Sequence, residues 1–388
     1  MRLLHTSDWH LGRSFHRVSM LDAQAAFITH LVATARESGA DAVLVAGDVY
    51  DRAVPPLAAV ELFDDALHRL ADLGIPVVMI SGNHDSARRL GVASGLIGRA
   101  GVHLRTDPAR CATPVVLTSR TGEEVAFYGL PYLEPALVRD EFGVTAASHA
   151  AVLGAAMDRV RADLAARAPG TGSVVLAHAF VTGGLPSDSE RDITVGGVAA
   201  VPAGVFDGVD YAALGHLHGA QTITGRVRYS GSPLAYSFSE AGHRKSMCLV
   251  DLAPGGPVTA ERIDCPVPRP LARIRGRLDD LLADERLTRH EDAWVEATLT
   301  DPVRPKDPMA RLARRFPHTL NLLFEPDRPP GETRVSYAHR LAGRDDRQIA
   351  GDFLAHVRGA GPDAAESAEL RAAFEAVRAD GATREAAP

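Results

Sequence analysis

The most constraining feature of this chain is an alternation of short apolar runs with amphipathic helical patterns in its N-terminal part. The runs at 3–7, 42–46 and 75–80 have the length of buried strands, and residues 21–38 and 57–73 repeat apolar side chains at helical spacing. Strand–helix–strand alternation favours a parallel sheet, and ligands bind along the carboxyl-terminal edge of such a sheet. The sequence therefore predicts an α/β fold with a site at that edge.

Short polar clusters follow several of these apolar runs and carry the residue types that bind metals. They are Asp8-x-His10, Gly47-Asp48-x-x-Asp51, Gly82-Asn83-His84-Asp85, His178 and Gly215-His216-x-His218. Residues two apart in an extended segment point the same way, so both members of a pair can address one centre. Imidazole and oxygen ligands without thiolate favour Mn, Fe or Zn over Ca or Mg.

Taken singly, these clusters have ordinary explanations. A lone histidine after an apolar strand is usually a core residue, and a Gly-Asp pair is usually a turn that caps a helix. When all five clusters are considered together, metal binding explains them better than these separate structural roles. Two divalent ions with two ligating aspartates would keep a charge of about +2, which suits an anionic phosphodiester. We therefore expect a two-metal centre.

In this order the clusters resemble the metal-binding motifs of the calcineurin-like metallophosphoesterases. A closer resemblance, to the SbcD-type nuclease subunits of that superfamily, rests on further stretches. These are Thr6–Gly12, Leu130–Leu133, Ser187–Asp192 and Tyr229–Pro233. The resemblance covers residues 1–265 well and covers the remainder only by layout and position. It implies a two-sheet αββα sandwich, a small α/β cap domain and a C-terminal helical tail.

The resemblance also implies a role for each site residue. The first metal would be held by Asp8, His10, Asp48 and His218, and the second by Asp48, Asn83, His178 and His216, so that Asp48 bridges. His84 would act at the leaving oxygen instead of ligating, and Asp85 would orient its ring. Asp51 stands where some relatives carry a histidine, and its role stays open. Arg13, Arg88 and Arg89 are candidate phosphate contacts.

By resemblance the activity is Mn²⁺-dependent cleavage of DNA in repair, recombination and replication. It would comprise 3′–5′ exonuclease action on duplex ends and endonuclease action on single strands and hairpins. The implied partners are DNA and an SbcC-type, SMC-like ATPase, with a homodimer inside a heterotetramer; residues 57–105 are a candidate dimer surface. The alternatives are a small-molecule or cyclic-nucleotide phosphodiesterase of the same superfamily and a non-catalytic scaffold with this fold.

Four segments are expected along the chain. They are a nuclease domain at 1–265, an α/β capping domain at 267–326, a linker at 327–343 and a helical partner-binding tail at 344–380. Pro266, Pro268 and Pro270 mark the first boundary. Along one strand of the cap, Arg273, Arg275 and Arg277 predict either a cationic face or an ordinary solvated face.

Composition limits the remaining possibilities. The formal net charge of −7 argues against a protein that coats nucleic acid non-specifically, although a metal centre can supply positive charge locally. The cysteines, Cys111, Cys248 and Cys265, are too widely spaced for a zinc knuckle or a disulfide framework. The sequence shows no apolar run long enough to cross a membrane, so we expect a cytoplasmic protein without a membrane partner.

Overall fold

The structure, a computed structural model, describes residues 1–193, 200–327 and 344–385. It forms two compact units, Met1–Pro326 and Asp327–Pro388. In chain order the strands are β1 (Arg2–Thr6), β2 (Ser14–Phe15), β3 (Val18–Ser19), β4 (Ala42–Ala46), β5 (Val77–Ile80), β6 (Val102–Arg105), β7 (Val115–Thr118), β8 (Glu124–Leu130), β9 (Gly172–His178), β10 (Tyr211–Gly215), β11 (Gln221–Thr222), β12 (Val227–Tyr229), β13 (Ser246–Leu252), β14 (Val258–Asp264), β15 (Leu271–Gly276), β16 (Trp294–Leu299) and β17 (Thr319–Phe324). The α-helices are α1 (Leu21–Glu37), α2 (Leu57–Asp72), α3 (Ala87–Leu90), α4 (Ser94–Ile97), α5 (Pro135–Phe142), α6 (His149–Ala165), α7 (Leu278–Ala283), α8 (Pro308–Leu312), α9 (Asp346–Arg358) and α10 (Ala364–Glu385).

Two six-stranded sheets form the centre of the first unit. Their strand orders are β14-β13-β1-β4-β5-β6 and β11-β12-β10-β9-β8-β7. Strands β1, β4, β5 and β6 run parallel in the first sheet, as do β12, β10, β9 and β8 in the second. The antiparallel strands lie toward the sheet margins. Each sheet therefore has a parallel centre whose strands end at a common edge.

The sheets pack face to face, and helices cover their outer faces. The inner core joins Leu44 and Ile80 of the first sheet to Phe127 and Leu176 of the second. Helices α1 and α2 pack on the outer face of the first sheet, and α6 packs on that of the second. Because these helices are apolar along one side only, they bury that side and leave the other in solvent. The expected αββα sandwich is confirmed.

A three-stranded parallel sheet, β15-β16-β17, forms the small α/β cap together with α7 and α8. A separate apolar cluster joins the cap to the sandwich: Trp294 packs against residues that include Phe15 and Phe238. Two of the arginines that predict either a cationic or a solvated face on the cap are paired with carboxylates, Arg273 with Glu296 and Arg275 with Glu325. These ion pairs favour the solvated face over a cationic one.

In the second unit, α9 begins with a capping box in which Asp345 accepts a hydrogen bond from Gln348 N at 2.8 Å. Helix α10 continues past the expected end of the tail at residue 380. Apart from Asp327, the predicted linker lies outside the described residues, and the division into four segments stays a prediction. Among the described residues, no helix combines the length and apolar character needed to span a membrane.

A buried histidine links the two sheets. His5 on β1 receives a hydrogen bond from Tyr211 Oη on β10 at Nδ1 (2.9 Å), and its Nε2–H donates to the Leu214 carbonyl (3.2 Å). Burial lowers the pKa of His5 to about 3. The ring is therefore neutral in the folded chain at pH values where the unfolded chain binds a proton. The stability that it contributes is complete above about pH 6.5 and is lost as the pH falls toward 3.

We expect His5→Gln to lose less stability on acidification than the natural chain. Between pH 7.5 and 5.5 the natural chain should lose about 1.4 kcal/mol more unfolding free energy, because only its unfolded state gains the His5 proton. Urea unfolding of both proteins at the two pH values measures this difference, in which shared titrations cancel. Equal losses in the two proteins would contradict the assignment.

Candidate metal centre

The candidate ligands come from five loops that leave the carboxyl ends of parallel strands in both sheets. They are Asp8 and His10 after β1, Asp48 after β4, Asn83 after β5, His178 at the end of β9, and His216 and His218 after β10. Because the parallel strands of both sheets end at one edge, these loops converge there. Six of the seven residues are no more than 5% exposed, and Asn83 is partly exposed. The structure thus gathers all seven predicted ligands at one place.

Unusual backbone conformations aim several of these side chains. Asp8, His10, Asp48 and His216 have positive φ angles of 54°, 46°, 49° and 107°. Non-glycine residues adopt such angles rarely and at a cost, and they persist where surrounding contacts hold them. Here the loops hold one another, since Asp8 N donates to the Gly47 carbonyl and His10 N to the Asp48 carbonyl, both at 3.0 Å.

Close loop packing also explains why a glycine begins the cluster Gly82-Asn83-His84-Asp85. A Cβ on Gly82 would lie 2.2 Å from Asp48 Oδ1 and 2.5 Å from Asp48 N. Those contacts are far inside van der Waals distance, so no larger residue fits without displacing the candidate bridging carboxylate. The glycine therefore lets the β5 loop approach the β4 loop.

The first ligand group contains Asp8, His10 and His218, whose ligand atoms lie within 4.8 Å of one another. His10 Nε2 is 3.0 Å from His218 Nε2 and 3.7 Å from Asp48 Oδ2. Ser7 Oγ and His216 N donate to the Asp8 carboxylate, which fixes its position. Two imidazole nitrogens and two carboxylates thus face a common point.

The second ligand group surrounds Asn83 Oδ1. His178 Nε2 lies 2.9 Å from this oxygen, and His216 Nδ1 lies 3.2 Å from it. His178 Nε2 is also 3.5 Å from Asp48 Oδ2. The Oδ2 atom of Asp48 therefore lies between His10 of the first group and His178 of the second, as a bridging carboxylate requires.

The hydrogen bonding of His178 shows that this group fits a cation. Its Nδ1–H donates to the Ala46 carbonyl at 2.9 Å, which leaves Nε2 to face two acceptors, Asn83 Oδ1 and Asp48 Oδ2. Burial disfavours a charged imidazole, but the Asp48 carboxylate raises the pKa of His178 to about 9, so that Nε2 carries a proton directed at these oxygens when no ion is bound. A divalent ion with oxygen and imidazole ligands would take the place of that proton between the nitrogen and the two oxygens.

His84 lies beside the two groups, and its ring is held differently from expectation. Its Nδ1–H donates to the Asp51 carbonyl at 2.8 Å, whereas Asp85 accepts from the backbone N–H groups of Val49, Tyr50 and Gly82. The expectation that Asp85 orients the His84 ring is therefore wrong. Asp85 instead ties the β4 and β5 loops together. His84 Nε2 is buried and has no hydrogen-bond partner among the described residues.

The three candidate phosphate contacts lie in different settings. Arg13 donates to the Ser189 carbonyl at 3.0 Å, lies 3.6 Å from Asp51 and stacks over the Tyr236 ring, so its guanidinium is largely engaged. Arg89 is exposed and donates to the Ala53 carbonyl. Arg88 is exposed and lines a cavity that adjoins the one lined by Asn83. Of the three, Arg88 is therefore placed best to meet a phosphate.

Behind the first ligand group lies a polar network that sequence reasoning missed. It consists of Ser189, Glu190, Glu240 and Lys245, which surround His218. Burial would raise the pKa of Glu240, but the hydrogen bond with His218 and the charge of Lys245 lower it below its ordinary value. No motif spacing signals Glu240 or Lys245. Ser189 and Glu190 lie in the Ser187–Asp192 stretch, which contributes to the family resemblance but predicts no function for either residue.

Comparison with known families agrees with this geometry. Residues 1–220 match the family described as calcineurin-like phosphoesterase. Residues 267–358 match the SbcD C-terminal domain, described as the type 5 capsule protein repressor C-terminal domain. The first match spans more than half of the chain and contains all seven candidate ligands.

Solved structures with detectable similarity are distant. TT1561 of Thermus thermophilus is 14% identical, with 67% of this chain and 98% of that chain covered and a TM-score of 0.39. GAP50, titled the anchor in the inner membrane complex of Plasmodium, is 12% identical, with coverage of 68% and 84% and a TM-score of 0.43. A dimetal phosphatase from Danio rerio is 11% identical, with coverage of 67% and 98% and a TM-score of 0.36. Because the first match covers residues 1–220, with all the ligand loops, and the second covers residues 267–358, the chain belongs to the calcineurin-like phosphoesterase family and is an SbcD-like member of it.

Proposed function

We propose that this protein is the nuclease subunit of an SbcCD-type complex and cleaves DNA with two divalent ions. The donor chemistry suits Mn, Fe or Zn, and the resemblance selects Mn²⁺ among them. The expected reactions are 3′–5′ exonuclease cleavage of duplex ends and endonuclease cleavage of single strands and hairpins. One observation carries the proposal: two groups of candidate ligand atoms share the Asp48 carboxylate. Family membership supports metal-dependent hydrolysis, and the SbcD-like C-terminal region supports DNA as the substrate class.

The chain's own residues define how such a reaction would proceed. Asp8, His10, Asp48 and His218 would hold one ion, and Asp48, Asn83, His178 and His216 the other. When bound, the pair would supply Lewis-acid stabilisation of the phosphate and activation of a water molecule. His84 would present Nε2 to the leaving oxygen and donate a proton, while the Asp51 carbonyl keeps hold of Nδ1–H. Asp85 would keep the loops in register through its backbone contacts.

Two adjoining cavities beside the centre support a polymeric substrate over a small one. A cavity of about 530 Å³ is lined by Asn83 of the centre, and a second one of about 610 Å³ is lined by Arg88, Arg105 and Arg110. The two cavities share lining residues, among them Pro108, so they lie side by side, and together they are the groove that we propose as the strand path. A cyclic nucleotide would fill only the first part, whereas a nucleic acid strand can place further phosphates beside the arginines.

We expect Arg88→Ala and Arg110→Ala each to weaken DNA binding without slowing cleavage of a small diester. Each substitution should reduce the slope of log K against log salt by about 1, since one phosphate contact is lost. Binding of a fluorescent single strand at several salt concentrations measures this slope. Arg36→Ala, which removes an exposed charge from the outer helix α1, is the control and should leave the slope unchanged. Unchanged slopes for all three variants would reject the groove as the strand path.

The proposed activity can be tested directly on the full chain. The purified protein with Mn²⁺ is incubated with hairpin DNA or with a cyclic nucleotide, and products are followed over time. Cleavage of the hairpin at the higher kcat/KM supports the nuclease. Preference for the cyclic nucleotide would support the small-molecule alternative, and cleavage of neither substrate would support the scaffold.

The second unit supports the proposed ATPase partner. Phe353 and Val357 on α9 and Val377 on α10 are 59%, 65% and 69% exposed. Exposed apolar side chains at helical spacing are typical of helices that dock on another protein. In the first unit, Leu57, Val92 and Leu96 are exposed to a similar degree, which supports a homodimer through residues 57–105.

Deletion of residues 344–388 should leave cleavage of a small diester intact and abolish co-purification with a co-expressed SbcC-type ATPase. The double variant Phe353→Asp/Val357→Asp should do the same without removing the helices, because charge on the apolar stripe opposes docking. Affinity purification of the tagged ATPase measures the association. Undiminished recovery of the deleted chain would refute docking through the tail.

A further inference from the structure

His218 differs from the other candidate ligands in how its second ring nitrogen is held. Nε2 faces the first ligand group, and Nδ1 lies 2.6 Å from Ser189 Oγ and 3.3 Å from Glu240 Oε1. Glu240 can only accept, so Nδ1 carries the hydrogen and Nε2 presents its lone pair to the ligand group. Ser189 also donates to Glu240. The carboxylate thus selects the tautomer that a metal needs.

Glu240 is in turn fixed by a buried lysine. Its Oε2 accepts from Lys245 Nζ and from Tyr236 N. Lys245 Nζ also donates to the His218 carbonyl and to Ser232 Oγ, each at 2.9 Å. Glu240 is 1% exposed and Lys245 is 6% exposed, so the pair lies in a low-dielectric interior. Because desolvation of the two charges offsets their attraction, a buried ion pair seldom increases the free energy of unfolding. We therefore assign this pair a role in fixing the geometry around His218.

The backbone around His218 is held at both ends by the same network. His218 N donates to Glu190 Oε1 at 2.7 Å, and Glu190 Oε2 accepts from Ser187 N at 2.6 Å. The His218 carbonyl accepts from Lys245, as described above. The ring, the amide and the carbonyl of one residue are therefore each fixed by a charged group, which leaves the imidazole little freedom to rotate.

The second ligand group is supported differently. His178 Nδ1–H donates to the neutral carbonyl of Ala46. A carboxylate behind a ligating imidazole increases its donor strength more than a neutral carbonyl does, and substitution of such a partner commonly weakens metal binding about 10- to 100-fold. The support is thus asymmetric, with a negative charge behind the first group.

We propose that Glu240, held in place by Lys245, is a positioning residue that sets the tautomer and donor strength of His218 and so controls the affinity of one metal position selectively. This inference rests on the proposed two-metal centre. It predicts that the two positions can be separated by substituting a residue that is not itself a candidate ligand. Glu240 lies outside the five motif clusters, so its role would not follow from them.

The test measures Mn²⁺ binding to the full chain by calorimetry and by the paramagnetic resonance signal of the free ion. The natural chain should bind two ions. Glu240→Gln should bind one with natural affinity and the other about 10- to 100-fold more weakly. Because this variant leaves Lys245 unpaired and could fold poorly, the double variant Glu240→Gln/Lys245→Met removes both charges and should show the same selective loss.

Asp210→Asn is the matched control. Asp210 is a buried carboxylate at the opposite end of β10, where it accepts from Ser173 and Arg226 and contacts no candidate ligand. The Asp210→Asn variant should bind both ions with natural affinity, even if its unfolding temperature changes. Natural affinity at both positions in the folded double variant would overturn the inference, as would equal weakening at both positions. Failure of the natural chain to bind two ions would contradict the proposed metal centre itself, and the inference with it.

Discussion

Asp48→Asn should remove both metal positions at once. Asp48 Oδ2 lies 3.7 Å from His10 Nε2 and 3.5 Å from His178 Nε2, so one oxygen serves both ligand groups. Asparagine keeps the shape and the oxygen that accepts from His84 N, but it removes the negative charge between two dications. At an effective dielectric of about 20, even two unit charges about 4 Å apart attract by about 4 kcal/mol, so the loss of this charge should cost each divalent ion at least about a thousandfold in affinity.

The measurement is the number of Mn²⁺ ions retained per chain after dialysis, with cleavage of hairpin DNA as a second readout. Asp48→Asn should retain almost none and show no cleavage above background. Asp210→Asn again serves as the control, since it also loses one buried carboxylate charge. Retention of two ions by Asp48→Asn would contradict the bridging role.

In contrast to Asp48→Asn, the variant His84→Ala should retain both ions. Its cleavage of DNA should be reduced by about 10²- to 10⁴-fold. The reason lies in the two ring nitrogens. Nδ1 is occupied by the Asp51 carbonyl, and the buried Nε2 has no hydrogen-bond partner among the described residues and faces the site. Such a nitrogen is free to meet a leaving oxygen. A ring nitrogen of His84 lies within 4.8 Å of ligand atoms of His10 and Asp48, but four other residues are assigned to each ion, so we expect both ions to stay bound without it.

Leaving-group chemistry sharpens this test. A diester with a nitrophenolate leaving group departs without needing a proton, so His84→Ala should slow its hydrolysis far less than that of DNA. His68→Ala, which removes an exposed histidine from α2, should affect neither substrate. Loss of a bound ion in His84→Ala would show that His84 is a ligand, and equal slowing on both substrates would remove its assignment as the proton donor.

Much of the site could be predicted because its residues lie where strand periodicity stops. Asp8, Asp48 and Asn83 each follow a buried strand within a few residues, and parallel strands end at one edge, so local patterns are enough to bring them together. Family resemblance then assigned them to two groups. Asp48 Oδ2 lies near both His10 and His178, and Asn83 Oδ1 lies near His178, but the division into two metal positions stays a prediction.

What could not be predicted depends on contacts between distant parts of the chain. Glu240 meets His218 only because the segment before β13 folds back over the first ligand group, and no spacing rule encodes this contact. The role predicted for Asp85 was wrong for a related reason. Its carboxylate accepts hydrogen bonds from three backbone N–H groups of two loops instead of from the adjacent histidine.

Some strands also gave no usable sequence signal. Strand β14 lies at a sheet edge, and its side chains are mostly exposed or half-buried, so it lacks a continuous apolar run. The hairpin of β2 and β3 is only two residues on each side. Strands that short or that exposed are specified by pairing with their neighbours more than by their own composition.

The most direct test of the account is anomalous diffraction at the manganese edge from crystals of the full chain grown with Mn²⁺. Two peaks are predicted, one contacted by Asp8, His10 and His218, the other by Asn83, His178 and His216, with an oxygen of Asp48 at each. A single peak, or peaks away from these side chains, would contradict the two-metal centre.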